Sequence, residues 1–162
     1  MEKKDYNYSL DDLALPYSEK LIPPEEVGNV GMLTSIGCYG NCSFCSYNRG
    51  GISFRFHSIN NIIKELDYIA QYNNSEDVTI RFFDECFSVN SIRTLDILLE
   101  ISKRKYKFKY WCCLRYDILN ERIINFLYIC NFRDIVIGFE SASEEIISKL
   151  GKLKNSTNPK QF

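Results

Sequence analysis

The chain is poor in the residues that mark several common protein classes. No apolar run approaches the ~20 residues that a membrane-spanning helix needs, and the start, Met1 to Asp12, is polar and mixed in charge rather than a signal peptide. Neither sign of charge is in excess: 20 Lys and Arg face 21 Asp and Glu, for a formal net charge of −1. Nothing global therefore draws the chain to nucleic acid or to a membrane. A single histidine, His57, is present, so sites built from several imidazoles are excluded. What is present is ordinary globular material, 45% apolar and 25% charged, in a chain of 162 residues that suffices for one domain with a real core. The seven cysteines are an odd number. Without a signal peptide they indicate a reducing cytoplasm rather than a disulfide framework.

Three of those cysteines stand together in Gly37-Cys38-Tyr39-Gly40-Asn41-Cys42-Ser43-Phe44-Cys45, a C-x3-C-x2-C spacing with an aromatic residue just before the last thiol. Three thiolates on one short loop are a metal site far more often than chance, and the loop lacks a fourth. Cuboidal iron–sulfur clusters in electron carriers are held by four thiolates. Three leave one iron with an open position, which points to chemistry rather than structure. Gly37 and Gly40 give the backbone freedom to wrap such a group. The alternative is a zinc site in which His57 completes the set, but His57 lies beyond a Gly-Gly turn and a Phe-Arg-Phe segment. The other cysteines, Cys86, Cys112, Cys113 and Cys130, fall in apolar or strand-like contexts and read as buried, inert thiols. Cys86 is the least settled, because it follows Asp84-Glu85 at a strand end.

Along the chain a strand–loop–helix unit repeats four times. Residues 1–31 show no sustained period and read as an irregular lead-in broken by Pro16, Pro23 and Pro24. Met32–Ile36 is the first strand expected, followed by the cysteine loop and a helix capped by Ser58 and running to about Tyr72. A second strand over 78–83 ends at Asp84-Glu85 and precedes a helix from Asn90 or Ser91 to Lys103. A third strand, 108–114, precedes Arg115-Tyr116-Asp117 and a helix from Glu121 to Cys130 capped by Asn120. A fourth, 135–139, ends at Glu140, with Ser141 and Glu144 as a capping box for a last helix stopping near Gly151. Alternating elements of this length predict an α/β fold with parallel strands, right-handed crossovers, and ligands at the carboxyl ends of the strands. The cysteines and the charged residues Asp84, Glu85, Arg115, Asp117 and Glu140 each follow a strand and would gather on one rim. The basic run Lys103, Arg104, Lys105, Lys107 and Lys109 reads as a solvated connection, with an RNA-contacting patch as the alternative.

The cysteine loop, with Phe-Phe-Asp-Glu-Cys-Phe, Arg-Tyr-Asp and Gly-Phe-Glu-Ser after the later strands, resembles the signature of the radical S-adenosylmethionine (radical SAM) enzymes. The likeness runs from about residue 10 to 155 and is greatest to the core of the B12-binding class. It implies a partial TIM-type barrel in which Cys38, Cys42 and Cys45 hold a [4Fe-4S] cluster whose open iron chelates SAM. It further implies Phe44 beside the adenine, Asp84 or Glu85 near the SAM amino group, Arg115 near its carboxylate, and Glu140 on the ribose. The activity implied is reductive cleavage of SAM to methionine and a 5′-deoxyadenosyl radical that modifies a substrate, with the electron supplied by a flavodoxin- or ferredoxin-like partner.

The chain departs from this pattern in two ways. The cobalamin-binding domain that would precede residue 10 is missing, and four of the usual six βα units are present. The expected organisation is a lead-in at 1–31, a partial core at 32–155 and a polar tail at 156–162. The chain is then a fragment, a split gene product, or a subunit whose barrel a second chain completes. A remnant that binds a cluster or zinc without turnover is the competing expectation.

Overall fold

The computed structural model describes residues 8–23, 28–47 and 54–152. Four strands form one parallel sheet: β1 (Asn29–Met32) lies beside β4 (Thr79–Phe82), then β5 (Lys109–Arg115), then β6 (Phe132–Gly138). Two shorter strands, β2 (Ser35–Ile36) and β3 (Arg55–Phe56), make a separate antiparallel pair. Helices α1 (Ile59–Tyr72), α2 (Ser91–Ser102) and α3 (Glu121–Ile129) connect the parallel strands, and α4 (Glu144–Lys149) follows β6. This is the α/β, partial-barrel architecture that the repeat predicts, with four strand–helix units.

The helices start where short polar side chains can take up their first backbone N–H groups. Ser58, Asn90 and Asn120 accept from Asn61 N, Arg93 N and Ile123 N. Their apolar stripes then lie against one face of the sheet. Val30, Met32, Ile80, Phe82, Tyr110, Cys112, Leu114 and Phe132 alternate along the strands and pack with Ile62, Leu66, Ile97, Leu98, Ile123 and Leu127. Each such aliphatic side chain contributes about 1.5–3 kcal/mol when fully buried. Phe82 stacks on Phe87 at 4.9 Å and Tyr110 on Phe132 at 5.0 Å. The opposite face carries Gly31, Arg81, Phe83, Trp111, Cys113 and Val136, which are half-buried or exposed. No helix among the described residues is long and apolar enough to cross a membrane.

Three elements differ from the sequence expectation. The first sheet strand is Asn29–Met32, not Met32–Ile36. The chain leaves the sheet because the buried Asp84 carboxylate accepts from Thr34 N at 2.6 Å, from the Thr34 hydroxyl, and from Ser35 Oγ at 2.8 Å. Those contacts turn the backbone out of the ladder, so Ser35–Ile36 pairs with Arg55–Phe56 instead. The fourth strand begins at Phe132, not Ile135, because Asn131 adopts φ +63° and its side chain donates to Phe108 O at 2.8 Å, turning the chain straight out of α3. The last helix is capped by Ser143 rather than Ser141 and is six residues long. In the basic run, Lys103 and Arg104 pair with Glu100 at 2.5 and 2.9 Å, Arg104 also with Asp67 at 3.4 Å, and Lys109 opens β5.

Candidate functional site

The cysteine loop leaves β2 through Gly37, whose φ of +119° and the Phe54 ring 2.7 Å from where a Cβ would sit make glycine the only comfortable residue. A short turn, Cys45 N donating to Cys42 O at 3.0 Å, shapes its far end. Ser43 N donates to Leu150 O at 3.0 Å, which ties the loop to the last turn of α4. Cys38, Cys42 and Cys45 carry no disulfide and are all half-buried.

The end of β4 supports the loop from below. Asp84 and Glu85 are neighbours with opposite assignments. Asp84 is 2% exposed and spends its oxygens on Thr34 and Ser35. Burial pushes its carboxyl above the usual range, against the pull of those donors. Glu85 is exposed and faces the loop, where it accepts from Gly37 N at 3.1 Å and from the Tyr47 hydroxyl. Cys86 is buried and hydrogen-bonds the Cys38 thiol. That bond, with help from Gly40 N and the Arg115 charge, holds the Cys38 thiol below its usual value against the opposing effect of burial. Cys86 itself is pushed upward by the same contact.

The end of β5 grips the loop from the side. Arg115 makes a two-pronged pair with Asp117, Nε to Oδ1 and Nη2 to Oδ2, both at 2.9 Å. Its Nη1 points at Cys42 Sγ at 3.6 Å, and its guanidinium lies 4.7 Å from the centre of the Tyr39 ring. The Tyr39 hydroxyl donates to Asp117 Oδ1 at 3.2 Å. The end of β6 reaches the site through Lys152. Lys152 Nζ is paired with Glu140 Oε1 at 2.5 Å, donates to Gly138 O at 2.8 Å, and stands 5.8 Å from the centre of the exposed Phe44 ring.

The carboxyl ends of β4, β5 and β6 thus all meet the cysteine loop. Glu85 and Arg115 touch it directly, Glu140 through Lys152, and Asp84 sits beneath the strand that leads into it. Sequence reasoning missed Lys152, which is 5% exposed. Its one signal was its place just after Gly151, the glycine at φ +67° that ends α4. His57 is turned away to Asp11, with Nδ1 3.2 Å from Oδ1.

The donor set fits an iron–sulfur cluster in number and chemistry: three thiols in no disulfide, two of them facing hydrogen-bond donors. No three His, Cys, Asp or Glu side chains among the described residues are gathered closely enough to hold a single metal ion.

Comparison with known proteins finds a curated relative and, among solved structures, neighbours of the same fold. An uncharacterized methyltransferase of Pyrococcus horikoshii is 30% identical over 151 residues, covering 89% of this chain and 32% of its own length. The chain therefore spans about a third of that protein. Among solved structures, TsrM from Kitasatospora setae, a radical SAM methyltransferase solved with cobalamin and a [4Fe-4S] cluster, superposes with a TM-score of 0.67 at 18% identity, covering 76% of this chain and 24% of TsrM. The same enzyme with tryptophan and a SAM analogue gives 0.66 at 19% identity and the same coverage. The likeness shows a shared fold. No family model matches the chain.

Proposed function

We propose that the chain is the cluster-bearing part of a radical SAM enzyme, with methyl transfer as the reaction class. One observation carries the reading: a C-x3-C-x2-C loop lies at the carboxyl ends of a parallel sheet, where Glu85 after β4 and Arg115 at the end of β5 contact it and Glu140 after β6 pairs with Lys152 beside it. The names of both relatives support methyl transfer. When bound, a [4Fe-4S] cluster supplies the electron that splits SAM reductively.

The residues of the chain divide the remaining work. Cys38, Cys42 and Cys45 hold the cluster. Glu85, not Asp84, serves the SAM amino group, because Asp84 is enclosed by Thr34 and Ser35 whereas Glu85 is open on the loop side. Phe44 offers an exposed ring to the adenine. Glu140, oriented by Lys152, takes the ribose. Beyond the chain, the reading calls for a small flavodoxin- or ferredoxin-like electron donor, a second chain or further βα units beside β6, and cobalamin through a domain outside these residues, TsrM having been solved with cobalamin bound. A second reading, a cluster- or zinc-holding remnant without turnover, draws on the uncovered face of β6.

The test is anaerobic reconstitution with iron and sulfide, followed by electron paramagnetic resonance of the reduced protein with and without SAM. A [4Fe-4S] signal that changes on adding SAM supports the enzyme. A cluster blind to SAM favours the remnant, and zinc without a cluster rejects the radical SAM reading.

A further inference from the structure

The resemblance implies that Arg115 meets the SAM carboxylate, yet its surroundings assign it other work. The side chain is 7% exposed. Its Nε and Nη2 are engaged by Asp117 at 2.9 Å each, and Nη2 also lies 3.5 Å from Lys152 O. The remaining nitrogen, Nη1, faces Cys42 Sγ at 3.6 Å. The Tyr39 ring covers the guanidinium, and the Tyr39 hydroxyl returns to Asp117. Gly40 completes the arrangement, because a Cβ there would run into Nη1. A planar fork held at two points by a carboxylate, and by a ring across its face, has little freedom left for a mobile ligand.

We propose that Arg115 is a positioning residue for the cysteine loop: clamped by Asp117 and Tyr39, it donates to the Cys42 sulfur, fixes that ligand, and raises the reduction potential of the group the loop holds. This rests on the cluster reading above. A cation and an N–H donor beside a thiolate ligand favour the more negative, reduced cluster. Outer partners of metal ligands also govern how firmly the metal is retained, and losing one typically costs roughly 10- to 100-fold in affinity.

The experiment loads wild type, R115K and R115M/D117N with iron and sulfide without oxygen. It then measures midpoint potential by redox titration, iron loss to a chelator, and SAM binding. R115K keeps the charge but loses the fork. The double variant removes the carboxylate that a single change would strand in a buried position, which protects folding. The expected result is a potential that falls in R115K and falls further in the double variant, with iron loss roughly 10-fold faster or more. Potentials equal to wild type in both variants overturn the inference. So does weakened SAM binding at unchanged potential, which returns Arg115 to the SAM carboxylate. A wild-type chain that takes up no iron overturns the cluster reading and this inference together.

Discussion

The two edges of the sheet are finished in opposite ways. At the β1 edge the lead-in segment crosses the strand. The Tyr17 hydroxyl donates to Gly31 O at 3.2 Å, and the buried carboxylate of Glu65, on α1, accepts from Tyr17 N at 3.1 Å and Ser18 N at 2.7 Å. Leu10, Leu15 and Tyr17 are buried there. At the β6 edge no strand follows among the described residues, and Val136, Ile137 and Phe139 remain 49%, 45% and 53% exposed. A parallel strand rich in β-branched residues and open along one side is a template for pairing. One edge is therefore closed by the chain's own polar contacts, and the other is open among the described residues. The contrast also shows that hydrophobicity alone does not identify the finished edge, because the more apolar strand is the bare one.

Three experiments sharpen this comparison. The largest effect is expected at the closed edge. Glu65→Ala strands two backbone N–H groups in a buried position and should destabilise the chain by about 3 kcal/mol in denaturant unfolding, whereas Glu65→Gln, which keeps one acceptor, should cost about half of that. Tyr17→Phe removes only the hydroxyl bond to Gly31 and should cost about 1 kcal/mol. At the open edge, the paired change V136K/I137K should alter stability by no more than about 0.5 kcal/mol yet reduce self-association in sedimentation. An open edge that is already protected by the fold would show no change in association, and a large loss of stability there would mean that the two edges are not different in kind.

Much of the fold was legible in the sequence because its long helices carry both signals at once, a polar cap and an apolar period. α1, with Ser58 before Ile59, is the clearest case. What was not legible had a common cause. Asp84 bends the chain at Thr34 from fifty residues away, and no local pattern announces a long-range acceptor. Asn29–Met32 is too short, and too interrupted by Gly31, to alternate visibly. Phe132-Arg133-Asp134 lies outside the expected strand because it carries two charges, although an edge strand tolerates exposed charge well. At the candidate site, the three cysteines were readable from spacing. The different surroundings of Asp84 and Glu85, the contacts of Arg115 and the buried Lys152 depend on which strand ends meet, which spacing does not encode.

The bond from Ser43 N to Leu150 O has a consequence for the molecule as a machine. It joins the cysteine loop to the helix that follows the bare strand, and Gly151 comes so near the loop that a Cβ there would meet Asn41 O at 2.7 Å. A partner that docks on β6 and shifts α4 would therefore pull on the loop through its own backbone. Such coupling runs equally in both directions: a loop set by its bound group would grip that partner more firmly, and a partner in place would make the loop easier to fill. Under the proposed reading, assembly and cofactor loading would form one linked equilibrium rather than two successive events.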